Sequence, residues 1–392
     1  MSGQGEAPAA VPAEVRASDE DRLARVALGR LGEPGDPRIA RLVAALGAPV
    51  VLSELSGPGQ RSEVARELAT RLRAIDPSGD LERAARRGIR FVVPADPEWP
   101  RQVDDLQAAP LVDERGGPPL GLWVRGPGRL DGLTRSVAVV GSRSATTYGT
   151  EVAAGIAGSL VRAGHPVVSG AAFGIDQAAH RGALAVDGAN VAVLACGVDR
   201  AYPTAHRPLL EHLAETGLVV AEVPPGCAPT RGRFLSRNRL IAALTRGTVV
   251  VEAAVRSGAL NTATWATRLN RHLMGVPGPV TQAQSEGVHQ LIRSGAASLV
   301  THGAEVLEVV GDIGTHLVTP PRAPGRSRDT VGRRHQRILD AVPVAQPARV
   351  DSIAVTAGLD LVTVQAGLNS LRKVGLVELL PQGWRLTPAS QD

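Results

Sequence analysis

Lysine is almost missing from this chain of 392 residues, where Lys373 is the single lysine among 43 Lys+Arg. Nearly every cation is therefore arginine, as a high-GC genome supplies by drift, so arginine preference by itself carries no functional information. Aromatic residues make up 2%, which leaves Val, Leu, Ile and Ala to fill the core. The two cysteines, Cys196 and Cys227, have neither metal-ligand nor CxxC spacing. They exclude a disulfide framework and read as reduced thiols of a cytoplasmic protein. No apolar run reaches spanning length and no basic-then-apolar leader opens the sequence, so neither membrane nor export is expected. The formal charge of +5, from Lys+Arg 43 against Asp+Glu 38, is too small to coat the surface, and an anionic partner would need a local site.

What is present is organised in blocks. The opening MSGQGEAPAAVPAEV is rich in Ala, Pro and Gly and is expected to be a disordered tail over residues 1–17. SDEDRLARVALGRL and PRIARLVAALG have helical spacing with start and stop signals, and an Arg/Glu-rich segment spans Ser62 to Ile75. Residues 18–80 are therefore expected to form a small helical domain, in which SELSGPG reads as a connecting loop. From about Leu81 strands begin. GIRFVV and LGLWVRG are followed by SVAVV, PVVSG, VAVLA, LVVAEV, TVVVEA, HLMGV and ASLVT. Such continuous apolar runs belong to parallel strands covered on both faces, and helical segments between them predict an α/β, doubly wound sheet over residues 81–312.

Ligands of such sheets collect at the carboxyl ends of the strands. After SVAVV come Gly141, Ser142 and Arg143 and then a helix, an anion seat with a guanidinium beside it. This is not a GxGxxG, so a dinucleotide is not supported, and neither cofactor nor metal is expected. After PVVSG, Asp176 and His180 are four apart on one helical face, an orienting pair rather than a hydrolase dyad. After VAVLA, Cys196 reads as a small buried residue. After LVVAEV runs PPGCAPTRGRFLSRNRLIAALTRGTVVV, with five arginines, no acid and one ring, Phe234. A basic track with an aromatic platform is the chemistry of single-strand binding. Arg237, Asn238 and Arg239 are expected at the start of the following helix, and Arg233 and Arg246 are read as solvated. After TVVVEA, Glu252 is expected to hold arginine side chains in place, and Ser257 and Gly258 start the next helix.

VAVVGSRSATTYG, VVSGAAFGIDQAAHRGAL, GRFLSRNRLIA and VVVEAAVRSGALNTA resemble, in order and spacing, the DNA-processing protein A (DprA/Smf) family, over about Phe91 to Val310. The resemblance implies an extended Rossmann fold with a mostly parallel sheet, which binds single-stranded DNA and helps load a RecA-type recombinase in recombination or transformation, without turnover. It implies nucleic-acid contacts by Gly141, Ser142, Arg143, Gly170, Arg231, Phe234, Arg237, Asn238, Arg239, Ser257 and Gly258, and a homodimer. Phe173 stands where the family usually has Arg, which removes a phosphate contact or orienting pair and offers a stacking surface instead. Residues 313–330 read as a Pro/Gly/Arg linker, and residues 331–389, three helices and a hairpin, as a winged helix. Its third helix presents Thr363, Gln365, Asn369 and Ser370, with Arg372 and Lys373 only at the end, which suits a protein or weak duplex contact as well as sequence reading. Two other classes remain open: a nucleotide-processing enzyme of the phosphoribohydrolase type, whose PGGxGTxxE motif is missing, and a winged-helix regulator.

Overall fold

Val137–Val140 is VAVV, and all four of its side chains are buried; a strand of this kind must be covered on both faces. The computed structural model describes residues 17–57, 63–319 and 331–390. All but the last residue of the disordered tail expected over residues 1–17, most of the interdomain linker and the centre of the SGPG turn lie outside the described residues. The chain divides into two compact units at Val318 and Thr319.

The first unit opens with five helices: α1 (Asp19–Leu31), α2 (Pro37–Leu46), α3 (Ala48–Ser56), α4 (Glu63–Arg73) and α5 (Pro77–Ala85). Ser18 caps α1 by accepting from the Asp21 N–H at 3.1 Å, and Asp36 and Asp76 cap α2 and α5. Two differences from the sequence reading appear here. Ser53 to Ser56, expected in a loop, belong to α3, and α5 carries the helical region past residue 80.

Then follow β1 (Ile89–Val92), β2 (Leu122–Arg125), β3 (Val137–Val140), α6 (Thr147–Arg162), β4 (Val167–Ser169), α7 (Ile175–Leu184), β5 (Asn190–Leu194), α8 (Arg207–Thr216), β6 (Leu218–Ala221), α9 (Arg231–Ala243), β7 (Gly247–Val250), α10 (Ala259–Arg268), β8 (His272–Gly275), α11 (Ala283–Arg293), β9 (Ser298–Leu299) and α12 (Gly303–Val310). The sheet order is β1-β2-β6-β5-β4-β3-β7-β8-β9. The joins of β2 to β1 and to β6 are antiparallel, and all the others are parallel. Strand order therefore reverses at β3, which lies between β4 and β7. Alternate residues divide the core: Ala138, Val140, Val191 and Val250 pack toward α9, α10 and α11, while Val137, Val139, Val249 and Val251 pack toward α6, α7 and α12. The antiparallel edge is covered by α1 and α5, where Val26 and Ala84 meet Phe91 and Trp123. Arg22 fixes this cover by forking onto Asp96 at 2.7 and 3.0 Å.

The second unit holds α13 (Arg333–Asp340), α14 (Val350–Ala357), α15 (Leu361–Lys373) and a hairpin of β10 (Val377–Leu380) and β11 (Gly383–Leu386). Val364, Leu368 and Leu371 of α15 close over Ile338, Ile353 and Trp384, the three-helix and wing arrangement expected from the sequence.

Candidate nucleic-acid interface

Thr230 ends an extended segment after β6 and caps α9, its Oγ1 accepting from the Arg233 N–H at 3.2 Å. The helix thus begins six residues before the expected start. Arg231 lies in its first turn and Phe234 one turn on, on the same side; Arg231 is exposed and Phe234 half-buried. Opposite them the loop after β3 brings Gly141, Ser142 and Arg143, and the loop after β7 brings Arg256, Ser257 and Gly258. Between these loops lies an open groove of about 860 Å³, at the upper end of ordinary ligand sites, roughly 300–1,000 Å³. A recess between α1, α2 and the β1–β2 edge offers only about 40 Å³, too little for a nucleotide.

The groove carries four guanidinium groups, those of Arg143, Arg231, Arg237 and Arg256, against the carboxylates of Asp113 and Asp176. Two stand over the Phe234 ring, Arg143 at 4.8 Å and Arg237 at 5.8 Å from its centroid, within cation–π range. Arg237 is buried and donates to the carbonyls of Gly170 and Val193, both at 2.7 Å. Desolvation pulls its guanidinium below the usual arginine range, the attraction of Asp176 opposes this, and Arg143 adds to it. A Cβ on Gly170 would lie 2.1 Å from Arg237 Nη1, so that glycine is what admits the side chain.

The loop after β3 is held by Glu252. Its carboxylate accepts from both the N–H and the hydroxyl of Thr146, the cap of α6, and its backbone carbonyl accepts from the Ser142 N–H at 2.7 Å. Gly149 leaves room for this, because a Cβ there would come within 2.4 Å of the Glu252 carboxyl carbon. The expectation that Glu252 organises arginines is corrected accordingly: it is 1% exposed and bound to Thr146.

Asp176 and His180 are likewise not a pair. Asp176 accepts from the Ala172 N–H at 3.3 Å, while His180 Nδ1 lies 2.7 Å from Asn190 Oδ1. Burial lowers the pKa of His180 and of His165 from the ordinary 6.5. Each lowered pKa disfavours the protonated ring in the folded chain relative to the unfolded one, so the stability it contributes is full above the ordinary 6.5 and is lost as pH falls through the lowered value. The urea midpoint is expected to drop between about pH 7.5 and 5.5, and His180→Gln should flatten that dependence. An unchanged slope would contradict the assignment. Burial also raises the Cys196 thiol to about 11, which keeps it protonated and unfit as a nucleophile. Among the described residues no three His, Cys, Asp or Glu side chains are grouped to hold a metal.

The model of the DNA recombination-mediator protein A family matches residues 90–311, from within β1 through α12. A DNA processing protein DprA of Mycobacterium tuberculosis is 44% identical over 368 residues, 92% of this chain and 93% of its own. The chain belongs to the DNA recombination-mediator protein A family. Protein Smf of Synechocystis is 32% identical over 85% of this chain and 88% of its own. The solved structure of DNA processing protein A from Streptococcus pneumoniae superposes with a TM-score of 0.60 at 29% identity, covering 74% of this chain and 98% of that one, so the Rossmann-like architecture is a family property.

Of the residues that the resemblance to the DNA-processing family nominated, Gly141, Ser142, Arg143, Arg231, Phe234, Arg237, Asn238, Ser257 and Gly258 line the one groove. Asn238 Nδ2 ties α9 to α10 through the Gly258 carbonyl and Asn261 Oδ1, each at 3.3 Å. Gly170 lies beneath, as the acceptor for Arg237. Arg239 points away: it is 0% exposed and forks onto Glu222 with two bonds of 2.7 Å, and its Nε donates to the Gly117 carbonyl at 3.0 Å. Its nomination as a contact is corrected to a buried brace, because a side chain two residues along the helix from Arg237 faces another side. Arg233 and Arg246, read as solvated, are paired with Glu33 and Asp312. Sequence reasoning passed over Arg256 and Tyr202, which also line the groove; a cation or ring in the loop that follows a strand end was the available signal.

Proposed function

We propose that this DNA recombination-mediator binds single-stranded DNA in the groove at the carboxyl ends of its strands, protects it and delivers it to a RecA-type recombinase, with no covalent chemistry of its own. The observation that carries this is Phe234, a ring at the groove with Arg143 over it and Arg231 one turn away. A base stacking on Phe234 would leave its flanking phosphates to Arg143 and Arg231. Action in the cytoplasm and as a homodimer is part of the same proposal. An enzyme of the phosphoribohydrolase type is less well supported: Glu252, the acid it would use, is occupied by Thr146 and does not line the groove. The outer face of α15 also argues against an operator reader, since Leu361 and Val362 are exposed there.

The test is competition for a labelled oligothymidylate by unlabelled single strand, duplex and mononucleotide. Single strand is expected to compete best. The slope of log affinity against log salt should fall in Arg143→Ala by about 0.7, one phosphate on a single strand. Equal competition by mononucleotide, with release of free base, would instead support the enzyme.

A further inference from the structure

The chain has nine aromatic side chains, Trp 4, Tyr 2 and Phe 3. All four tryptophans and Phe91 are buried. The other four follow strand ends: Tyr148 after β3, Phe173 after β4, Tyr202 after β5 and Phe234 after β6, and these four strands are neighbours in the sheet in that order. So every ring that is not core lies on the ligand edge of four adjacent strands. Tyr148 is tied by its hydroxyl to the Pro277 carbonyl at 2.6 Å, whereas Tyr202 and Phe234 line the groove and Phe173 directly follows Ala172, which also lines it. Phe234 and Tyr202 have centroids 5.6 Å apart, and four residues beyond Tyr202 comes His206, whose ring meets Phe173 edge-on at 4.6 Å.

Phe173 is 46% exposed, yet its support is rigid. His206 beneath it is buried, with Nδ1 2.9 Å from the Ala171 carbonyl. Gly174, at φ +75°, is pressed so closely on the loop after β3 that a Cβ would lie 2.3 Å from the Ser142 carbonyl oxygen. The Ile175 N–H donates to that same oxygen at 3.1 Å. The backbone next to Phe173 is thus fixed against the backbone of Arg143, whose side chain stands over Phe234. A flat apolar face, held on a fixed support beside a phosphate-binding cation, is what base stacking requires.

From this geometry we propose that Phe173 is a second base-stacking platform, so that a strand seated on Phe234 continues past Tyr202 to Phe173. The inference rests on the single-strand reading of the groove and extends it to the length and path of the bound segment. At a position where a cation would grip a phosphate, this chain instead grips a base. Longer strands should gain affinity from that ring, and the gain should be nearly independent of salt.

The experiment measures binding of oligothymidylates from about 4 to about 16 nucleotides to the full chain and its variants by fluorescence anisotropy. Phe173→Ala is expected to weaken binding of the longest oligomers about five- to twenty-fold while leaving the shortest unchanged. Phe173→Trp should retain affinity, and because the native tryptophans are buried, its exposed indole should be quenched as oligomer is added. Equal affinities of Phe173→Ala and wild type at every length, a uniform loss at all lengths, or an unquenched Phe173→Trp at saturation would each overturn the second platform. Wild-type chain that binds no oligomer would overturn the single-strand reading itself. Binding that Phe234→Ala loses and Phe173→Ala keeps would remove only the extension.

Discussion

Replacing Phe234 by alanine is expected to raise the dissociation constant for a short oligothymidylate by roughly ten- to a hundred-fold, since stacking one base on an aromatic side chain is worth about 1–3 kcal/mol. The loss should lie toward the larger end, because the ring also holds Arg143 at 4.8 Å, and without it the guanidinium has no fixed position from which to meet a phosphate. Phe234→Tyr keeps the face and should stay within about threefold of wild type. Anisotropy titrations at one fixed salt concentration read the effect directly. If Phe234→Ala bound like wild type, the groove would not be the single-strand site.

The largest loss of stability is expected from Glu222→Ala. That substitution leaves the Arg239 guanidinium, wholly enclosed between α9 and the Gly117 carbonyl, without its carboxylate, and stranding one member of a buried pair costs about 3–5 kcal/mol. Arg239→Met, which removes the charge but keeps much of the volume, should cost distinctly less. The brace joins α9 to the segment around Gly117, where Arg115 also donates to Ser236 Oγ at 2.9 Å. Thermal or urea unfolding measures the effect. At a temperature where the variants remain folded, their affinity for single strand should lie within about twofold of wild type. A variant with normal stability and lost binding would return Arg239 to the contact surface.

The sheet was legible because its strands are buried on both faces and so appear as unbroken apolar runs; VAVV and TVVV are short and rich in β-branched residues, which favours strand over buried helix. The start of α9 was not. RGRFLSRNR has no apolar periodicity, and Thr230 is followed at the third helical position by Arg233 rather than by the Glu or Gln that marks a capping box. Arg239 was misread for a related reason: in sequence an arginine looks solvated or ligand-bound, and its carboxylate partner stands 17 positions earlier in the chain. α5 escaped because Gly79 interrupts an otherwise sound Asp76-Pro77 start, and α3 because the glycines after it drew attention to a turn. The groove's lining was nonetheless legible, since residues that follow the strand ends converge once the sheet is parallel.

With the Thr146 N–H and hydroxyl both engaged by Glu252, the loop that presents Gly141 to Arg143 has its shape before any nucleotide arrives. Association then needs no ordering step on the protein side, and encounter can proceed at the rate set by charge steering, which falls with ionic strength. Residence on the proposed site would be governed separately, by ring contacts that salt barely touches. If the proposed single-strand site is right, such a chain would capture strands quickly and release them according to how many bases are stacked, and hand-over to a recombinase would proceed by lifting bases off rings one at a time.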